Sequence, residues 1–248
     1  MCFAVIMRTS SFYIAFLLLL YSCSSSDDTS TGTLADLVAA NEIVPGNVIA
    51  CASGSEEADV IIAYAYPRPG ATELRYFETE NTGVDPGDFN NYTEVVLPAL
   101  DFFNGYLMKF ERQTELERWA IITFMEEGKL HLSNPIRLKH MSQNTSFTQM
   151  VTVDQSSPGM PVFNWNASAM GSDAIYFQVV ADDRDNLLSG TYTFDTWFQY
   201  YELDNVVLNI TRETPPDLIP GAEYSFTLMG VSEDNWVNTL DQIVFTTE

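Results

Sequence analysis

Leu218-Ile219-Pro220-Gly221-Ala222-Glu223-Tyr224-Ser225-Phe226-Thr227-Leu228 is the stretch whose reading decides the fold. Pro220-Gly221 makes a tight entry, because proline presets its own φ and glycine accepts the conformations a turn demands. Beyond the turn, Tyr224, Phe226 and Leu228 recur at period two, so an extended chain sets all three on one face. Runs of the same kind lie upstream at Asp59–Tyr66, Trp119–Phe124 and Ala174–Val180. They are β-branched and aromatic, and clusters of Pro, Gly, Asn and Asp separate them at the intervals of a sandwich. Apart from short turns at 34–40 and 97–103, no amphipathic helix is visible. The fold class is therefore all-β.

Glu126-Glu127-Gly128 sits between two such runs and reads as a hairpin turn, with Gly128 taking the left-handed position. From His140 to Ser146 the chain is polar and unpatterned, which predicts a boundary near residue 143 and two sandwiches, 43–142 and 146–248. The Leu218–Leu228 motif resembles the fibronectin type III signature, in which a Leu-x-Pro-Gly turn precedes strand F and its tyrosine. The resemblance covers roughly 148–248. It implies that Tyr224 forms a tyrosine corner, its hydroxyl bonding back to the preceding turn, and that Trp165 is the core tryptophan of strand B. The stretch from Gly190 to Asp204 is longer and more aromatic than that family usually has, which leaves the strand count open. The first half lacks the motif and resembles an immunoglobulin-like sandwich through Val44-Pro45-Gly46 and the hairpin.

At the other end, Met7-Arg8 precedes an apolar run from Phe12 to Tyr21 that stops at Cys23. The run is about half the ~20 residues needed to span a bilayer and has the layout of a secretory signal. Translation starts at Met1 or Met7. Leu20-Tyr21-Ser22-Cys23 resembles the bacterial lipobox, which implies a signal peptide at 1–22 and lipidation of Cys23 with palmitate-type acyl chains. Residues 23–42 are expected to be a flexible tether. Its Ser24-Ser25-Ser26-Asp27-Asp28 resembles the acidic export signal of Bacteroidetes surface lipoproteins, which implies display on the outer membrane. Cys2 leaves with the signal, so Cys51 is the sole unmodified thiol. No intramolecular disulfide follows, and a small buried hydrophobe is the expected role.

Past Cys23 there are ten basic residues against 34 acidic ones, a formal −24. Nucleic acid is excluded as a partner, because phosphate binding needs a Lys/Arg footprint. The membrane link must be the acyl chains rather than a basic patch. The two histidines, His131 and His140, stand outside any nucleophile motif and are expected at the surface or between domains; no HExxH motif and no cysteine pair point to zinc. Asp182, Asp183 and Asp185 crowd oxygen ligands into one loop without the EF-hand spacing, so a solvated acidic turn competes with calcium. No catalytic residue, metal or cofactor is assigned.

The aromatic stretch from Thr193 to Tyr201 divides by period two into Phe194, Phe198 and Tyr200 on one face and Trp197 and Tyr201 on the other. An exposed Trp197–Tyr201 pair at about 13 Å spacing would suit a sugar or a protein partner. Trp236, in the loop after strand F, is the third candidate binding residue. The leading expectation is a lipid-anchored, non-enzymatic binding or spacer module for an extracellular glycan or protein. The alternatives are an accessory protein or hydrolase in polysaccharide processing, using carboxylates, and a structural adhesion or assembly subunit joining through a sheet edge.

Overall fold

The computed structural model describes residues 32–57, 59–167 and 173–248. Cys23 and the signal segment lie outside the described residues. Helix α1 (Leu34–Ala39) opens the described chain. Its strands in the first half are β1 (Ile43–Val48), β2 (Ala50–Gly54), β3 (Val60–Ala65), β4 (Thr72–Thr79), β5 (Tyr92–Glu94), β6 (Leu100–Phe102), β7 (Leu107–Gln113), β8 (Trp119–Glu126), β9 (Lys129–Ser133) and β10 (Ile136–Arg137). The second half adds β11 (Thr152–Asp154), β12 (Val162–Asn164), β13 (Ile175–Asp182), β14 (Leu187–Thr193), β15 (Trp197–Gln199), β16 (Val206–Asn209), β17 (Glu223–Val231) and β18 (Val237–Thr246). The protein is an all-β sandwich fold. The hairpin turn at Glu127-Gly128 has both residues at positive φ, 52° and 76°, as a two-residue loop between twisted strands requires.

Each half is a pair of sheets. In the first, β1-β9-β8-β4-β5, with β10 beside β8, faces β2-β3-β7-β6. In the second, β16-β14-β13-β17-β18 faces β11-β12-β15. The unusual length after Gly190 is resolved by β16, which returns from the small sheet to pair with β14. The tyrosine corner is present: the Ile219 N–H donates to the Tyr224 hydroxyl at 2.9 Å. Trp165 lies in the second core, edge-on to Tyr176 at 5.4 Å.

The two sandwiches stack rather than string out. Along β3, Ile61, Ala63 and Ala65 face the first core, whereas Ile62 and Tyr64 face Phe177, Val179 and Met229 of the second half. Along β17, Tyr224, Phe226 and Leu228 face the second core together, as their spacing predicts, and Met229 and Val231 face the first half. The layers therefore run from sheet to sheet through three apolar seams. A fourth seam lies outside, where Leu34 of α1 covers Phe77, Ile121 and Leu132. This corrects the expected tether at 23–42: Thr33 caps α1 by accepting from the Asp36 N–H at 3.2 Å, and packed structure begins there. The expected turn at 97–103 carries β6.

Two locks hold the stack. At one end, the hairpin loop between β17 and β18 enters the first sandwich. Trp236 is 0 % exposed among Ala52, Phe110 and Leu138, its indole N–H donates to the Gln143 carbonyl at 2.9 Å, and the Ala52 N–H donates to the Asn235 carbonyl at 3.1 Å. At the other end, the hydroxyls of Tyr66 and Tyr106 donate to the Ile210 carbonyl at 3.3 and 2.8 Å. The Arg212 guanidinium sits 4.1 Å from the Tyr106 ring centre, a cation–π contact.

Candidate functional site

Stacking two twisted sheets leaves a gap where they diverge, and here the gap is a groove of about 550 Å³ between the sandwiches. One wall comes from the first half: Ser53 on β2, Tyr64 on β3, Phe102 on β6 and Lys109 on β7. The other is Thr227 and Met229 on β17 with Gln242 on β18, and the linker residue Phe147 closes one side. The strand period explains the membership. Thr227 shares the face of Met229, and Gln242 is its register partner on β18.

The groove is aromatic and neutral-polar. Tyr64 and Phe102 lie 5.2 Å apart, tilted by 38°, and Phe147 is 38 % exposed. The Ser53 and Tyr64 hydroxyls are 3.3 Å apart, and burial pushes the tyrosine up to about 12, so it stays protonated and able to donate. Lys109 is ion-paired with Glu111 at 2.8 Å. Asp241 is buried, and one of its oxygens accepts from the N–H groups of Met150 and Val151 at 2.6 and 2.9 Å. Its role is to seat the linker, not to act as a free base. The Thr227 hydroxyl, on a residue 4 % exposed, has no hydrogen-bond partner in the protein.

The sequence candidates do not converge on this groove. Trp236 offers no surface, because core packing takes all of its ring. Trp197 is 38 % exposed on β15. Tyr201 lies beyond that strand at φ 76°, donates to Asp217 at 2.8 Å, and lines a separate 570 Å³ pocket with Met160 and Pro220. The predicted division of 193–201 into two faces fails at Phe194, which is 65 % exposed while Phe198 and Tyr200 are buried. The reason is a change of sheet. The segment leaves β14 at Thr193 and re-enters on β15 in the opposite sheet, so one period cannot run through both.

The Asp182–Asn186 loop serves structure. One Asp182 oxygen accepts from the N–H groups of Arg184 and Asn186, both at 2.9 Å, and the other from the Asn186 amide at 2.8 Å. Burial alone would raise this carboxyl, but the Asn186 and Arg184 donors outweigh it and hold it below the ordinary range. The loop also docks on the first half, since the Asn104 amide donates to the Arg184 carbonyl at 2.7 Å. Among the described residues no group of three or more His, Cys, Asp or Glu is placed to hold a metal ion.

Both histidines are buried, which rules out the surface alternative of the expected surface or interdomain positions. His131 stacks on Phe124 and bonds Asn47 at 2.7 Å beside the Arg68–Glu126 ion pair, and His140 bonds the Thr114 carbonyl at 2.8 Å. Cys51 is buried between the sandwiches, and burial pushes its thiol up to about 12. The groove itself has no sequence signal, because its walls come from segments more than a hundred residues apart. The one local hint is Phe147, an aromatic in an otherwise polar linker.

No family model and no curated protein matches this chain. Among solved structures, the FN1–FN3 domains of chicken CNTN1 are similar at 11 % identity and a TM-score of 0.32, over 84 % of this chain and 68 % of that one. A two-domain fibronectin type III segment from chicken tenascin is similar at 11 % identity and a TM-score of 0.32, over 81 % and 98 %. A cytokine receptor complex follows at 9 % and 0.29, over 76 % and 91 %. Scores of this size carry no argument, and the β-sandwich architecture rests on the strands described above. Among the described residues, no helix is long and apolar enough to cross a membrane.

Proposed function

We propose that this chain is a lipid-anchored, non-enzymatic binding module of the outer membrane surface, presenting the groove between its sandwiches to an extracellular glycan or protein. The observation that carries the reading is the groove itself. At about 550 Å³ it lies within the range of about 300–1,000 Å³ typical of ligand sites, and two locks hold its walls in place, so little ordering cost accompanies binding. Support for the anchor is the lipobox-like Leu20–Cys23 and the acidic Ser24–Asp28. A charge of −24 past Cys23 repels anionic headgroups and leaves the attachment to acyl chains.

Protease shaving of intact cells tests the reading, with Cys23→Ala and Asp27→Ala/Asp28→Ala variants beside the parent. Loss of intact protein from parent cells alone is the expected result, and protection in every strain refutes it. A second reading, an assembly subunit joining through a sheet edge, is favoured by β16, which pairs only with β14 among the described strands and exposes Val207 and Leu208. Self-association of the chain on size exclusion at rising concentration, lost in Val207→Lys, would favour it.

A further inference from the structure

We infer that the groove between the sandwiches takes a neutral saccharide, a short stretch of an uncharged glycan lying against Phe102 and Phe147. The inference rests on the binding reading above and names the chemistry of its ligand.

Charge decides the first step. Lys109, the cation among the described lining residues, is held by Glu111 at 2.8 Å, so an anionic ligand finds no free counter-charge in a strongly acidic body. A cationic ligand fares no better inside. The interior carboxylate, Asp241, already accepts two backbone N–H groups, and Glu56 and Glu57 sit exposed on the rim, where ion pairs contribute little. The interior is therefore matched to a neutral molecule.

Polarity decides the second step. The groove surface carries the amide groups of the exposed residues Gln149 and Gln242 beside the aromatic faces. A wholly apolar ligand would cover those groups without pairing them, at a cost of about 1–3 kcal/mol for each polar group left unsatisfied. A ligand with its own hydroxyls pairs those amides. A sugar ring combines those hydroxyls with a C–H face that packs on an aromatic ring, and Phe102 and the exposed Phe147 offer such rings.

The test is isothermal titration of the full lipidated chain in detergent. The neutral probes are maltotetraose, cellotetraose, mannotetraose and chitotetraose; a hyaluronan tetrasaccharide is the anionic probe and pentalysine the cationic one. Saturable binding of at least one neutral probe is expected, with no response to the charged two. Phe147→Ala should weaken that binding at least tenfold, Gln242→Ala, which removes an exposed amide of the groove, about five- to tenfold, and Phe194→Ala not at all. Because Phe147 and Gln242 are both exposed, both variants should keep the parent's thermal midpoint. Silence toward every neutral probe, preference for a charged one, or neutral binding indifferent to Phe147 and Gln242 would overturn the saccharide assignment. The anchored-module reading fails separately, through protection of the chain in the shaving assay.

Discussion

Replacing Trp236 with alanine should break the stack, not a binding surface. The indole is 0 % exposed, inside the core of the first sandwich, to which the β17–β18 hairpin that carries it does not belong. A buried aromatic of this size removes about 150–250 Å² from water. At about 25 cal/mol per Å² that is about 4–6 kcal/mol, an upper figure because the unfolded chain is already partly compact. Core Trp→Ala replacements cost about 3–5 kcal/mol, and the lost bond to the Gln143 carbonyl adds about 1. About 4 kcal/mol is a large share of the 5–15 kcal/mol that holds most domains. Since the plug comes from one half and its socket from the other, the damage should appear as lost coupling. Equilibrium urea unfolding followed by tryptophan fluorescence and far-ultraviolet circular dichroism reads both effects. With a slope of about 2 kcal/mol per molar, the first transition should fall by about 2 M, and the two probes should cease to coincide. A midpoint shift below about 0.5 M with one coincident transition would refute this account of Trp236, and loss of ligand binding in that same stable variant would return it to the surface.

Tyr224→Phe removes the acceptor for the Ile219 N–H and should cost about 1 kcal/mol in the same urea assay, with the fold unchanged. Arg68 donates to Glu126 and holds its carboxyl below the ordinary value of 4.5. A depressed carboxylate contributes stability that is present above its unfolded value and lost as the pH falls through the folded one. Urea midpoints of the parent should therefore drop faster below about pH 4.5 than those of Glu126→Gln, and parallel curves would contradict the pairing. Cys51, buried with its thiol raised to about 12, should resist Ellman's reagent in the native protein and react only at the rate of unfolding; immediate labelling would mean that the seam between the sandwiches opens.

What the sequence determined was local. The strand after Pro220-Gly221, the hairpin at Glu127-Gly128 and the Tyr224 corner follow from turn chemistry and period two, which act over a few residues, and all three stand in the structure. Tertiary structure decided what lies against each face. Val60–Ala65 is apolar at every position, a pattern open to a strand buried on both sides, yet nothing in those six residues says that one side meets Tyr76 and the other Phe177. The same limit applies at Phe194, where a crossing between sheets interrupts the period, and at Trp236, where the loop could be read but its socket around Ala52 and Leu138 could not. The groove is the extreme case. Ser53, Phe147 and Thr227 acquire a common role only after sheets from the two halves pack face to face, because burial of apolar area ignores sequence distance.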